Sequence, residues 1–538
     1  MHEQDTQTPE VNSAQGPTKI LFGDEARAAV LVGIEMAGRA VGATMGPGGR
    51  TVIIENKGKS PTVTKDGVTV CGFVNPRDPF AKLGADLVKE AAQKTNDTAG
   101  DGTTTASVLA SALCTRARKH LSVGVDPVAL RTGYEKAAQA ALEYVEKLAR
   151  PVKTNADLAH VARISANGDT TVGDLVARAL ARVGAHGIVT VEESRGVQTE
   201  LEVVAGTRID RGYASPYFVT SASDRTARLE SPYVFLTERK ITSFKEILPI
   251  LEHVNRNGKP LLLIADDYES DVLQALVLNK TRGGLKVCAI KAPAAGVIRV
   301  QLLEDIATLT GGSVLLGSDG WETLTHEKLG QCETIIVDAK RTTFIRGKGS
   351  PEALATRVSD LTERVYNPTL TDAERNFVRN RLAGLTAGIG VIKVGGYTDV
   401  EIGELKHRIE DALNAALGAA AQGVVPGGGR VLQLAAGVVS AARRLNTNED
   451  EALGMAQFAD ALLDPPRRIL ENAGVKSIVF DTEDEWSTYD IAKRKAVNAY
   501  DEGLLDSVRV TLAAIANATS VAKAFVSLDV AIVSELIR

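Results

Sequence analysis

From Ile20 to about Ala149 apolar residues recur every three or four positions, and glycine- and proline-rich breaks cut the pattern into segments. EARAAVLVGIEMAGRAV (Glu25–Val41) carries an apolar face and stops at MGPGGR (Met45–Arg50), which reads as an amphipathic helix ended by a turn. TVIIEN (Thr51–Asn56) and PTVTKDGVTV (Pro61–Val70) are rich in β-branched residues, and the Asp-Gly pair in the second predicts a turn between two strands. A long helix follows from near Pro79 through KLGADLVKEAAQKT, another after AGDGTTT, and a third from Asp126 that stops at Pro151.

The pattern changes in the middle. From about Gly206 to Ile389, short β-rich runs (YVFLTE, KPLLLIAD, LKVCAIKAP and ETIIVDAK) alternate with helical segments. That alternation predicts an α/β layered region. Before it, GIVTVEES reads as an alternating strand; after it, TDVEIGELKHRIEDALNAALGAAAQG is helical, VVPGGG interrupts, and the rest is mostly helical with a β-like pair near Lys476–Asp481 and Tyr489–Ile491. Periodicity does not say whether the two helical ends share one domain.

Length and composition narrow the class. At 538 residues the chain exceeds one core, and about three domains are expected. Aromatic residues make up only 4%, which points to helices packed through small side chains. The net charge is −5, and no long Lys/Arg tract occurs beyond RARKH (Arg116–His120), so nucleic-acid binding is disfavoured. Cys71, Cys114, Cys288 and Cys332 are scattered without a CxxC pair, which reads as reduced, buried thiols and predicts a cytoplasmic protein. No apolar run approaches a membrane span. Residues 1–17 are polar, with acids but no arginine; they read as a disordered extension rather than a targeting segment.

Candidate chemistry centres on AGDGTTTAS (Ala99–Ser107). A helix start offers unpaired N–H groups to anions. Gly102 admits a ligand close to the backbone, the threonine hydroxyls donate to phosphate oxygens, and Asp101 suits a hard cation such as Mg²⁺. An ordinary N-cap would need one Asp or Thr, whereas three consecutive threonines are poor helix openers. A P-loop is absent: NKGKS (Asn56–Ser60) lacks the first glycine, Ile53 standing in its place. TMGPGGR (Thr44–Arg50), VTKDGV (Val63–Val68), IEDAL (Ile409–Leu413) and VVPGGG (Val424–Gly429) share this phosphate- and acid-handling character, and each alone has a bland explanation as a turn, hairpin tip, solvated face or loop.

Together, in this order and spacing, they resemble the group I chaperonin family, the GroEL type. The resemblance runs from about Ile20 to Val526 and includes ISAN (Ile164–Asn167), RGYASPYF (Arg211–Phe218), GKPLLLIADD (Gly258–Asp267), KAP (Lys291–Pro293), EDIATLTGG (Glu304–Gly312) and VIKVGG (Val391–Gly396). It implies a multidomain α+β fold. A mainly helical, discontinuous equatorial ATP-binding domain would span 18–148 and 422–538, a small intermediate hinge domain 149–204 and 390–421, and an α/β apical domain 205–389. For the ATP site, the resemblance implies that Thr44, Met45, Gly46 and Pro47 line the nucleotide. Asp101 holds Mg²⁺, Gly102, Thr103, Thr104 and Thr105 wrap the phosphates, and Lys65 lies beside them. Thr44, Lys65 and Thr104 hold K⁺. Gly428, Asp490, Ile491, Ala492 and Asp506 enclose the nucleoside. Asp411 swings in to orient or deprotonate the attacking water, supported by Asp66.

For the middle region, the resemblance assigns Tyr213, Tyr217, Phe218, Leu248, Leu251, Leu273, Val277 and Leu278 to a surface binding non-native polypeptides and a GroES-type co-chaperonin. Periodicity alone would place Leu248 and Leu251, and Leu273, Leu276 and Val277, in an ordinary core. The implied assembly is a homo-oligomer of two stacked seven-membered rings that fold polypeptides in an ATP-driven chamber. The competing reading is a chaperonin-like holdase or scaffold with altered cycling; a small-molecule kinase is disfavoured because no phosphate-acceptor site accompanies the ATP motifs. The sequence departs from the family as a divergent paralog would. Its GFGDRR appears as AAGVIR (Ala294–Arg299), the acids before the second glycine turn are Ala421 and Gln422, a lysine is Gly48, an asparagine near the adenine is Asp490, and SELIR replaces a Gly/Met-rich tail.

Overall fold

The computed structural model describes residues 18–55, 61–183, 188–194, 196–204, 206–221, 224–321, 325–365, 370–386, 388–476 and 484–534. The expected extension 1–17, the NKGKS segment and most of the β-like stretch after Lys476 lie outside the described residues.

The helical start expected at Ile20 is instead a strand, Thr18–Phe22, paired antiparallel with Val530–Ser534 near the other end of the chain. Helix α1 (Gly23–Gly42) then opens with Asp24 and Glu25 and closes with Arg39, charges that suit the helix dipole. Strands Val52–Ile54 and Thr62–Thr64 pair antiparallel. The second strand expected after Asp66 is a short helix, α2 (Gly67–Phe73), because the Asp66 carboxylate caps it, accepting from the N–H groups of Val68 and Thr69. Here the cap and the packing override the β preference of Val68, Thr69 and Val70.

Helices α3 (Pro79–Ala99), α4 (Thr103–Leu121), α5 (Pro127–Leu148), α6 (Asn155–Ser165) and α7 (Thr170–Val183) follow. Asp78 and Asp126 cap α3 and α5 just ahead of prolines in their first turns. In the middle lie α8 (Phe244–Arg256), α9 (Ser270–Gly283), α10 (Gly296–Thr310), α11 (Pro351–Val365) and α12 (Asp372–Thr386). The last segment carries α13 (Asp399–Gln422), α14 (Arg430–Arg443), α15 (Glu449–Ala461), α16 (Asp464–Asn472) and α17 (Val508–Val526), with a hairpin of Ser487–Asp490 and Lys495–Asn498 before α17.

Contacts divide the chain into two compact units. The first comprises Met1–Arg178, Glu193–Gln198 and Val394–Arg538; the second comprises Ala179–Glu192 and Thr199–Lys393. In the first, both ends of the sequence build one core: Ile34, Leu109, Leu113 and Tyr134 from the early helices are buried with Phe458, Ile515 and Phe525 from the late ones. Small residues let these helices approach. A Cβ on Gly33 would sit 1.6 Å from the Ala81 carbonyl oxygen, and one on Gly84 would sit 1.8 Å from that of Val30, so α1 and α3 touch backbone to backbone. This is the structural use of the low aromatic content.

The second unit is built on an eight-stranded mixed sheet. Val287–Lys291, Leu261–Ala265 and Tyr233–Thr237 are parallel neighbours, and Leu261–Ala265 is buried throughout, as a central strand covered on both faces requires. Gly330–Val337, Thr342–Gly347 and Gly206–Ile209 extend the sheet antiparallel. Pro249 lies inside α8, whose capping box of Ser243 and Glu246 starts the helix at Phe244; as the sixth residue it has no N–H for the Lys245 carbonyl, so the helix forgoes one internal bond. All four cysteines are buried and free; burial pushes the Cys71, Cys288 and Cys332 thiols up to about 12. Among the described residues no helix is long and apolar enough to cross a membrane.

Candidate functional site

Six helices of the first unit begin with a side-chain cap: Asp66, Asp78, Asp126, Thr154, Thr398 and Asn448 each accept from a first-turn N–H. Among the uncapped starts that line one cavity, two begin from glycine. Helix α4 starts from Gly102 at φ 84° and α14 from Gly429 at φ 80°, both without a side-chain cap. The left-handed backbone at these two positions requires glycine. A Cβ would also collide, with Val510 at 2.6 Å and with Pro466 at 2.7 Å. Asp101 does not cap α4. It accepts from the adjacent Gly102 N–H at 2.5 Å and from the Ser165 hydroxyl at 2.7 Å. The N–H groups of the threonine turn therefore remain available to an anion.

The cavity has a volume of about 480 Å³, within the range of small-ligand sites. Every residue that the resemblance assigns to the nucleotide lines it: Thr44, Met45, Gly46, Pro47, Lys65, Asp66, Asp101, Gly102, Thr103, Thr104, Thr105, Asp411, Gly428, Asp490, Ile491, Ala492 and Asp506. Asn472 on α16 donates to the carbonyls of Gly42 (3.0 Å) and Met45 (2.9 Å), pinning the Thr44–Pro47 turn. Gly67 brings α2 against α4; a Cβ there would lie 2.5 Å from the Thr104 hydroxyl. Thr488 ties the hairpin to the second glycine turn through the Gly427 carbonyl at 3.0 Å. Ser165, Arg163, Asn167, Thr488, Pro466 and Ile469 also line the cavity. Ser165 lay within the recognised ISAN motif, yet no local pattern marks its hydroxyl as the partner of Asp101.

Carboxylates dominate the electrostatics. Burial raises the Asp101 carboxyl, opposed by the Ser165 and Gly102 hydrogen bonds. Burial, then the charges of Asp101, Asp66 and Glu410, push Asp411 well above the usual range. Burial and Asp101 push Asp506 up to about 7. Asp411 and Asp506 keep partial contact with solvent in the cavity, but protein walls surround them and deprive the charged form of bulk hydration. Asp66 is committed to α2: its two oxygens serve Val68 N at 3.2 Å, Thr69 N at 2.8 Å and the Thr69 hydroxyl at 2.5 Å.

This donor set fits a divalent cation held jointly with a ligand. Hard carboxylate oxygens are in excess, and among the described residues no ion pair involves Asp101, Asp411 or Asp506. No cluster of three or more His, Cys, Asp or Glu ligands forms among those residues. A cation here needs further oxygens from a bound phosphate, which is how Mg²⁺ is commonly held.

The Asp506 shift has a testable consequence. Its folded value, about 7, exceeds the ordinary 3.8, so between these limits the folded ligand-free chain binds a proton that the unfolded chain does not. That contribution is complete below the unfolded value and is lost as pH rises through about 7. Asp506→Asn should flatten the decline and raise the melting temperature at pH 8, by an amount equivalent to at most ~4 kcal/mol. Melting curves of ligand-free protein from pH 5 to 9 check it; superimposable pH profiles for variant and parent would refute the assignment.

In the second unit, Tyr217 is 74% exposed, Leu278 49% and Leu248 38%. Tyr213, Leu273 and Val277 are partly buried against the core. Phe218 and Leu251 are corrections: both belong to that core, at 0% and 4% exposure. Leu251 shares the inward face of α8 with Ile247, Ile250 and Val254. The i, i+3 spacing leaves Leu248 and Leu251 only about 60° apart around the helix, and the edge of the buried face falls between them. Ala294, where the family has glycine, takes a left-handed φ of 57°, and the following Val297 and Ile298 are exposed.

The model of the TCP-1/cpn60 chaperonin family matches residues 38–535. Two crystal structures of the chaperonin gp146 from the bacteriophage EL 2 (Pseudomonas aeruginosa), both in the presence of ATP-BeFx, are similar to this chain. Crystal form II superposes with a TM-score of 0.65 and form I with 0.60, each at 22% identity over 96% of this chain and 99% of that one. The structural likeness carries the fold. The family match spans nearly the whole sequence, and the chain belongs to the TCP-1/cpn60 chaperonin family.

Proposed function

We propose that the chain is an ATP-hydrolysing subunit of a ring-shaped chaperonin that binds non-native polypeptides and couples hydrolysis to their folding. The observation that carries the reading is the cavity into which the glycine-led, uncapped starts of α4 and α14 and the carboxylates Asp66, Asp101, Asp411 and Asp506 converge. The Thr103–Thr105 turn donates N–H and hydroxyl groups to the phosphate tail, and Lys65 adds positive charge beside it. Asp101, oriented by Ser165, would hold Mg²⁺ together with phosphate oxygens, and the bound ion would supply charge neutralisation at the phosphates. Thr44, Lys65 and Thr104 form the proposed K⁺ position. Asp411 positions the attacking water and takes its proton, a role that suits a carboxylate whose proton affinity is raised. Asp411 already lines the cavity, so this conformation is a closed one in the proposed cycle. Helix α13 packs on α6 and α17, and opening would move that helix, with the hinge segments 149–204 and 390–421, away from the equatorial part. The gp146 structures support nucleotide binding by analogy, having been obtained with an ATP analogue.

The exposed Tyr217, Leu248 and Leu278 supply an apolar surface for unfolded chains and for the mobile loop of a GroES-type lid. A double ring of seven-membered rings is the proposed assembly. Phosphate release from Mg-ATP by the purified chain, followed with and without a denatured client, tests the proposal, with electron microscopy for rings. Stimulated release and refolding support it. Client binding without phosphate release would favour the holdase reading, and neither binding nor release would overturn both.

A further inference from the structure

The turn that carries Tyr217 hangs on one lysine. Residues Pro216–Phe218 form a single helical turn in which Phe218 is fully buried and Tyr217 projects into solvent. Its base is fixed to the sheet, where Tyr213 bridges to Ile290 and the Ala214 N–H donates to the Ala289 carbonyl at 2.8 Å. Its outer edge is held by α9. The Lys280 ammonium donates to the Tyr217 carbonyl at 2.8 Å and to the Val219 carbonyl at 2.9 Å, straddling Phe218, and stands 6.0 Å from the centre of that ring.

Among the described residues no carboxylate pairs with this partly buried ammonium, and burial lowers its proton affinity. Desolvating a lysine costs free energy. Two backbone carbonyls and an aromatic face offset that cost here. Helix α9 also supplies the exposed Leu278 and the part-buried Leu273 and Val277, so the clamp fixes Tyr217 relative to these side chains.

We propose that Lys280 is a positioning residue of the polypeptide-binding surface, holding the Tyr217 turn against α9 so that the ring and the α9 apolar residues act as one patch. The inference rests on the reading of that surface given above. Without the ammonium the carbonyls of Tyr217 and Val219 lose their tie to α9, while the turn keeps its own bonds from Phe218 N to the Ser215 carbonyl and from Val219 N to that of Pro216. The turn then persists as a local structure but moves independently of the helix.

A double-mutant cycle tests this with the full chain and reduced, carboxymethylated α-lactalbumin as a permanently unfolded probe, its affinity read by anisotropy. Y217A should weaken binding about tenfold. K280M should weaken it about fivefold, K280R should recover most of the loss, and K280M added to Y217A should cost nothing further. Amide exchange confined to residues 216–220 should accelerate in K280M. If Y217A weakens binding while K280M does not, or if the two losses add, the clamp is refuted and the surface reading stands. If Y217A binds like the parent, the surface reading itself fails and the clamp with it. Should K280M not fold, K280Q carries the same comparison: its shorter amide reaches at most one carbonyl, and parental binding by K280Q would refute the clamp.

Discussion

Asp411→Ala should bind ATP and almost cease to hydrolyse it. The expected fall in turnover is at least about 100-fold, the usual contribution of a positioned general base. Affinity should stay within a few fold of the parent or tighten. The groups proposed to meet the phosphates are the uncapped turn Thr103–Thr105 and Lys65, with Asp101 on the metal, and none depends on the Asp411 carboxylate. That carboxylate is an electrostatic cost in the cavity, since burial and then the charges of Asp101, Asp66 and Glu410 oppose its ionisation. Removing it relieves repulsion against an incoming polyanion. Asp411→Asn keeps the shape without the basic oxygen and should match the alanine variant in turnover. Calorimetric titration with ATP and single-turnover phosphate release separate the two effects. Parental turnover in either variant would remove Asp411 from the chemistry, and loss of ATP binding in both would make it a binding group instead.

The parts of the site that were legible in the sequence are those where one residue type has few other uses. Glycines at Gly102 and Gly429 adopt left-handed backbone before helices, and a run of threonines at a helix start is costly without a ligand. What stayed hidden was set by distant packing. The Ser165 hydroxyl meets Asp101 from another helix, and Thr18–Phe22 becomes a strand because Val530–Ser534 lies beside it. The helical character of Gly67–Phe73 depends on the side chain of Asp66, a residue that suits a turn equally well. The apolar surface was the least legible, because helical spacing cannot say which of Leu248 and Leu251 faces outward, and only the packing of α8 decides it. The alternating strands of the second unit were the clearest, since a buried parallel strand such as Leu261–Ala265 leaves a continuous apolar run.

The largest expected loss of stability comes from Arg381→Met. Arg381 on α12 is 1% exposed and grips Asp305 of α10 with two bonds, Nε to Oδ2 at 2.6 Å and Nη2 to Oδ1 at 2.8 Å. Its third nitrogen, Nη1, reaches the Gln301 side chain at 3.1 Å, and its plane stands 5.5 Å from the Phe377 ring. Arg357 on α11 bonds the same Asp305 at 2.8 Å and Glu304 at 2.9 Å. One buried carboxylate therefore joins three helices. The apolar cluster of Leu361, Val365, Val378 and Leu385 between α11 and α12 is small. Methionine fills much of the arginine's volume but leaves Asp305 with one partner, and stranding half of a buried pair costs about 3–5 kcal/mol. Arg381→Met with Asp305→Asn should recover part of that, because the amide carries no charge to desolvate. Of the chain's two tryptophans, Trp321 lies in the second unit and Trp486 in the first. Urea unfolding in a Trp486→Phe background, read through Trp321, therefore reports on the affected unit. The midpoint should fall sharply for Arg381→Met and rise again in the double variant. A loss below about 1 kcal/mol, the value typical of an exposed pair, would show that the cluster is hydrated and that the α11–α12 hairpin is held by its leucines and valines alone.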